Sequence, residues 1–347
     1  MAIQVFLIDD SGILRHTLQH LLQGDPGITL MGGASNPLLA GPLIRKHKPD
    51  VLLLDIEIPG IDGLTFLRQL MEESPIATVI CSTLTTEGSR IALEAMAAGA
   101  VGVVAKPRPG LKQFLEDSRR ELVTALKAAA RARPQVRRSL PPAAAPAFSE
   151  PGLHARSMNK PVVIGSSTGG MQALEQILLA LPADAPGIAV VQHMPDRFTR
   201  LYAERLNGVC TMRVREARQG DRLERGLVLI ASGGRHLLLH MSAGQHYVEV
   251  IDGPPVNCHK PSVDVLFLSL AQHTSGDALA IVLTGVGDDG AQGMRRLHDL
   301  GVHTLAQDEA SCVVFDMPRA AIRLGAVDGV LPLDAMAGAI QRFDACS

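Results

Sequence analysis

"VVIGSSTGG", residues 162–170, carries an apolar run into two serines, a threonine and a pair of glycines. An apolar run that stops in a Ser/Thr/Gly cluster is a buried strand ending in a turn. The glycines fit the pattern G-x-S-x-G only when it is centred on Ser167, with Gly165 and Gly169 on either side. There the serine stands on a sharp strand-to-helix turn, where glycine relieves crowding and the hydroxyl projects outward. Ser166 takes the loosely constrained x position. No lysine follows the glycines, which removes a phosphate-binding P-loop. Such clusters also make ordinary turns, so the meaning of Ser167 depends on what the rest of the chain brings to it.

Working outward, further apolar runs follow at 188–193 (IAVVQH), 227–232 (LVLIAS), 278–285 (ALAIVLTG) and 302–308 (VHTLAQD). The first half repeats the pattern with IQVFLI (3–8), a helical stretch at 13–22, VLLLD (51–55), ATVICST (77–83) and VGVVAK (101–106). Continuous apolar strands separated by helices belong to parallel sheets covered on both faces. The expected fold is therefore α/β: an N-terminal doubly wound, flavodoxin-like parallel sheet and a second doubly wound α/β unit. In both, polar residues should gather at the carboxyl ends of the strands.

A helix is expected over about 110–132, followed by PQVRRSLPPAAAPAFSEPG (134–152), a Pro/Ala/Ser-rich stretch with little to bury. The boundaries read as 1–125, a linker over 126–158, and 159–347. The net charge of −2, with 3% aromatics and no Trp, argues against a nucleic-acid partner. The start meets Asp9 and Asp10 after a short apolar run, unlike a signal peptide or a membrane span. Cys81, Cys210, Cys258, Cys312 and Cys346 lie far apart with no CxxC pair, as expected of incidental thiols in a reducing cytoplasm.

Two constellations carry chemistry. Strand ends in the first half bear Asp9 and Asp10, then Asp55, Thr83 and Lys106. Clustered carboxylates repel unless a cation joins them, and hard oxygen ligands suit Mg²⁺. A lysine and a hydroxyl opposite suit a phosphoryl group. In LIDDSG, LLLDIEIPGIDG, CST and KP the chain resembles the receiver domains of two-component response regulators over roughly 3–125. The resemblance implies that Asp55 accepts a phosphoryl group from a histidine kinase, with Asp9, Asp10, Asp55 and the Glu57 carbonyl holding Mg²⁺. It also implies that Thr83 and Lys106 sense the phosphoryl oxygens. Val103 stands where many receivers carry an aromatic switch residue.

In the second half, Ser167 needs a base and an orienting acid. His193 ends an apolar run, and Asp288 and Asp289 follow another, with spacing alone unable to separate them. The order serine, histidine, aspartate departs from the α/β-hydrolase order, in which the acid precedes the histidine. The stretches IGSSTGG, VVQHMPDRFT, SGGRHL, KPSVDVLF, LTGVGDDGAQGM and QDEASCVVFDMPRAA are similar to the chemotaxis protein-glutamate methylesterases over roughly 160–343. That resemblance implies Ser167 as nucleophile, His193 as base and Asp289 as orienting acid, with Thr168 and Val286 N–H as candidate oxyanion donors. No cofactor is implied for the ester chemistry. The implied substrate is a methylated glutamate, or a glutamine, on the cytoplasmic helices of a chemoreceptor. Ser166, Asp288 and Asp316 depart from the family's usual Ala, Asn and Gly. A phosphorylation-controlled binding module with a degenerate site, and an esterase with another substrate, are the competing readings.

Overall fold

The computed structural model describes residues 2–58, 62–83, 85–106, 112–133, 160–274 and 276–345. The chain forms two compact units that part within residues 134–159, outside the described residues; of the expected linker over 126–158, residues 126–133 are described and belong to the last helix of the first unit and the turn after it.

The first unit alternates β1 (Ile3–Ile8), α1 (Gly12–Leu22), β2 (Ile28–Ala34), α2 (Pro37–His47), β3 (Val51–Asp55), α3 (Gly63–Glu73), β4 (Ala77–Ser82), α4 (Thr86–Ala97), β5 (Gly102–Ala105) and α5 (Lys112–Ala129). Its five strands are all parallel, in the order β2-β1-β3-β4-β5. That is the doubly wound order whose switch point lies between β1 and β3. Each of the five residues of β3 is buried, as both faces of a helix-covered sheet require. Side chains of Ser11, Asn36 and Asp62 cap α1, α2 and α3, which starts these helices directly after strand-end loops. The unit reaches past residue 125: Leu126 and Ala129 of α5 are buried, so ending it at 125 would cut a packed helix.

The second unit runs β6 (Val162–Ser166), α6 (Gly170–Leu179), β7 (Ile188–Gln192), α7 (Asp196–Val209), β8 (Arg213–Glu216), β9 (Leu227–Ile230), β10 (His236–Ser242), β11 (Gln245–Ile251) and α8 (Val263–Ala271). It continues through β12 (Leu279–Val282), α9 (Ala291–Asp299), β13 (His303–Gln307), α10 (Asp316–Arg323), β14 (Gly329–Leu331) and α11 (Leu333–Ala345). Seven parallel strands lie in the order β14-β13-β12-β6-β7-β9-β8. The chain proceeds outward from β6 in one direction and resumes at β12 in the other, so the switch point lies between β6 and β12. Ser167 follows one of those strands and Asp289 the other.

Sequence periodicity shows neither the antiparallel hairpin β10–β11 nor the strands β2, β8 and β14. The hairpin turns at Ala243 and Gly244, both at positive φ, and packs on α8. One core gathers Leu237, Leu239 and Val248 of the hairpin with Val263, Leu266, Phe267 and Leu270 around α8. That packing seats the N-terminus of α8 against β6 and the loop that follows β12.

Candidate functional site

The turn after β6 is held from three sides. Ser167 N–H donates to the Thr284 carbonyl at 3.0 Å, and the Thr284 hydroxyl donates to the Thr168 carbonyl at 2.9 Å. Gly169 stands at the N-cap of α6 with φ +81°, and a Cβ there would lie 2.5 Å from Val313. Gly285 lies so close to the serine that a Cβ on it would meet Ser167 Cβ at 2.7 Å. The glycines flanking the serine and the strand after it are thus required by close backbone approach.

His193 is placed by strand register. Ser166 pairs with Gln192 in β7, and His193 N–H donates to the Ser166 carbonyl at 3.0 Å. Gln192, 3% exposed, ties the two strand ends together. Its amide nitrogen donates to the Ser167 carbonyl (2.9 Å) and to the His193 carbonyl (3.0 Å). Its amide oxygen accepts the Ser166 hydroxyl at 2.7 Å. Ser166, fully buried, therefore orients the amide that clamps Ser167 to His193.

Asp289 rather than Asp288 meets the histidine. His193 Nε2 lies 2.8 Å from Asp289 Oδ2, while Asp288 is exposed. Asp289 also accepts Asn257 Nδ2 (2.8 Å), the Ser262 hydroxyl (2.8 Å), Val263 N–H (2.7 Å) and Asp264 N–H (3.2 Å). Three of these donors belong to the first turn of α8 and its cap, where unpaired N–H groups favour an anion. Burial alone would raise the Asp289 pKa. The hydrogen bond and charge of His193, then the Asn257 and Val263 donors, outweigh it and hold the carboxyl well below the usual range.

With Nε2 on Asp289, the buried Nδ1 of His193 has no hydrogen-bond partner. The backbone N–H groups of Thr168 and Val286 likewise make no hydrogen bond among the described residues. Ser167 N–H is taken by Thr284 and so is not an open donor, whereas Thr168 N–H is. The arrangement thus offers a hydroxyl on a rigid turn, an imidazole with one open nitrogen, a fixed carboxylate and two open N–H groups.

Gln192, Asn257, His259 and Ser262 complete the site and were not singled out from the sequence. Gln192 sits next to His193, and a polar residue inside an apolar strand is its one local signal. The other three come from the loop that joins the hairpin to α8, where spacing says nothing about the distant loop that carries Asp289.

In the first unit, register brings Ile8 beside Leu54, so Asp9 follows alongside Asp55. One carboxylate oxygen from each of Asp9, Asp10 and Asp55 lies within 4.8 Å of the others. Asp9 Oδ2 is buried without a partner. Burial first, then the Asp55 charge, pushes the Asp9 pKa up to about 6. Burial also raises Asp55, although Lys106 Nζ donates to its Oδ2 at 2.7 Å. These hard oxygens with one buried orphan fit a small divalent cation such as Mg²⁺. Thr83 does not reach Asp55; its hydroxyl donates to Glu57 Oε1 at 2.8 Å. Among the described residues Cys81, Cys210, Cys258 and Cys312 are free thiols, and no described helix is long and apolar enough to cross a membrane.

A receiver-type sheet with acids at its switch point, joined to a parallel sheet carrying serine, histidine and aspartate at its own, defines a response-regulator protein with a serine-hydrolase-like effector. Residues 162–340 match the family model of the CheB methylesterases, and residues 5–116 that of response regulator receiver domains. The chain belongs to the CheB methylesterase family. It is 50% identical over 351 residues to protein-glutamate methylesterase/protein-glutamine glutaminase 2 of Dechloromonas aromatica (strain RCB), covering 98% of each chain. A relative of the same name in Chromobacterium violaceum is 48% identical over 356 residues, covering 99% of this chain and 100% of its own. The crystal structure of the Thermotoga maritima CheB methylesterase catalytic domain is 36% identical with a TM-score of 0.52. That match covers 53% of this chain and 98% of the solved one.

Proposed function

We propose that this chain is a phosphorylation-controlled protein-glutamate methylesterase that also acts on glutamine side chains of chemoreceptors. The observation that carries the reading is the His193–Asp289 contact at 2.8 Å, with the remaining ring nitrogen open at the strand end next to Ser167.

Ser167 Oγ attacks the carbonyl carbon of a γ-glutamyl methyl ester while its proton passes to His193 Nδ1. Asp289 stabilises the imidazolium and keeps its orientation. The oxyanion meets the N–H groups of Thr168 and Val286; one such donor is typically worth about 3–4 kcal/mol. His193 returns the proton to the departing methoxide, so methanol leaves and an acyl-serine remains. Water then attacks the acyl-serine with His193 again as base, releasing glutamate and restoring the hydroxyl. With a glutamine substrate the leaving group is ammonia and the acyl-enzyme is the same.

In the receiver unit we assign Asp55 as acceptor of a phosphoryl group from a histidine kinase. Asp9, Asp10, Asp55 and the Glu57 carbonyl would hold Mg²⁺, which offsets the negative charge of the acids and of a phosphoryl oxygen. Lys106 already donates to Asp55. A phosphoryl group offers new acceptor oxygens to Lys106 and Thr83, which would draw Thr83 away from Glu57. The setting is cytoplasmic, where receptor signalling helices and kinase meet.

Ser167→Ala tests the nucleophile. The variant should fold and lose methanol release from methylated receptor by at least about a thousandfold. Wild-type turnover in that variant would overturn the assignment.

A further inference from the structure

Residues 256–259 form a tight turn that touches two members of the proposed triad. Val256 N–H donates to the His259 carbonyl at 3.0 Å, and His259 N–H to the Val256 carbonyl at 2.9 Å. A two-residue turn of this kind needs positive φ at both central positions, and Asn257 and Cys258 stand at +51° and +65°. Asn adopts that region more readily than most residues, but Cys does not. The turn places the Asn257 amide between Asp289 Oδ1 (2.8 Å) and Asp264 Oδ2 (2.7 Å). It also lays the His259 imidazole on that of His193, with ring centroids 3.7 Å apart and planes 10° apart.

We propose that His259 is a positioning residue for His193: its stacked imidazole fixes the plane of the base, so that Nε2 stays on Asp289 while Nδ1 stays open to Ser167. This rests on the methylesterase reading of the site. A ring held by one hydrogen bond can still pivot about that bond or turn over. Nδ1 has no partner to prevent it, so the stacked face supplies the second constraint. No hydrogen bond links the His259 ring to any described residue, which leaves stacking as its contact with the site. Burial first, then the His193 charge, pushes the His259 pKa down to about 4. The ring is therefore neutral when His193 takes up a proton. The imidazolium then faces a π-surface, an attractive arrangement, where a second cation would repel it.

The test compares His259→Ala, His259→Leu and His259→Phe in the full-length chain. One readout is methanol release from methylated receptor fragments. The other is long-range nitrogen–proton NMR of the His193 ring without substrate. Ala and Leu should lower kcat about tenfold with KM changed less than about twofold, as expected for lost alignment. Both should replace the single Nε2–H tautomer of His193 with an averaged pattern. Phe, a flat face without a titrating nitrogen, should restore the tautomer and bring kcat within about threefold of wild type. Leu keeps apolar bulk and serves should Ala fail to fold. Phe as damaging as Leu would show that the His259 nitrogens act directly, and wild-type kcat in Leu or Ala would remove any role; either overturns the proposal. Failure of the wild-type chain to release methanol would instead sink the methylesterase reading, and the NMR comparison would still decide the stack.

Discussion

Both units place acids at the switch point of a parallel sheet, yet the two sets of acids are treated in opposite ways. Asp289 accepts five hydrogen bonds, from His193, Asn257, Ser262, Val263 and Asp264, and its pKa is held down. Asp9 is equally buried, leaves one oxygen without a donor, and has its pKa pushed up to about 6. A carboxylate whose lone pairs are all occupied is a permanent charge that can steady a neighbouring imidazolium. A carboxylate left short of donors is poised to take a cation. The same crevice rule thus yields a carboxylate saturated with donors in one unit and a carboxylate left short of them in the other.

The comparison breaks most sharply at Asp289. Asp289→Asn keeps the size but presents an NH₂ to donors that all expect an acceptor, and removes the charge that steadies His193. kcat should fall about 10³–10⁴-fold, in single-turnover methanol release. A fall of less than about tenfold would mean that Asp289 is a structural cap of α8 rather than the partner of the base.

On the receiver side the expected effect is loss of a response. Wild type should incorporate acid-labile phosphate from a small-molecule phosphodonor when Mg²⁺ is present, and esterase turnover should rise. Asp55→Asn should abolish both the incorporation and the rise. Equal labelling of the variant would move the acceptor away from the β3 strand end. Mg²⁺ should also stabilise the receiver unit by RT ln(1 + [L]/Kd), which raises the melting temperature of its transition without moving that of the catalytic unit.

Much of this contrast was legible in the sequence, for one physical reason. In a buried parallel strand most side chains are apolar, so the polar residues that gather where the run stops mark its carboxyl end. Asp9, Asp55 and Lys106 follow that rule directly, Ser167 and His193 stand one place beyond Ser166 and Gln192, and Asp289 lies further on, in the glycine-rich loop after β12. What stayed hidden comes from elements with another logic. Asn257, His259 and Ser262 reach the site because the β10–β11 hairpin packs on α8 and carries the intervening loop to the β12 end. β8, at the sheet edge, reads RVRE, and β2 contains two glycines, so neither shows a continuous apolar run. Asp288 and Asp289 were indistinguishable by spacing; the difference is that only Asp289 turns inward to the first turn of α8.

A gentler probe of the same contrast is pH. The folded pKa of His259, about 4, lies below its unfolded value near 6.5. The folded state therefore resists protonation that the unfolded chain accepts. This stability is complete above about pH 6.5 and is lost as pH falls toward about 4. Asp289, also depressed, extends the loss below the usual carboxylate range. The melting temperature of the catalytic unit should thus decline between pH 7 and 4, and His259→Phe should decline less steeply over that window. Parallel slopes in the two proteins would show that His259 does not set the decline.

The smallest effect is expected at Ser166. Its hydroxyl is buried and donates to Gln192 Oε1, and the same amide, through Nε2, holds the carbonyls of Ser167 and His193. Ser166→Ala would leave Gln192 Oε1 buried without that donor, at a cost of about 1–3 kcal/mol in stability. Two donors to backbone carbonyls still fix the amide in place, so the serine turn should keep its position. Turnover should fall by only a few fold, and urea unfolding should register the larger change. A loss of activity comparable to that of Ser167→Ala would mean that Ser166, and not only the clamp it orients, takes part in the chemistry.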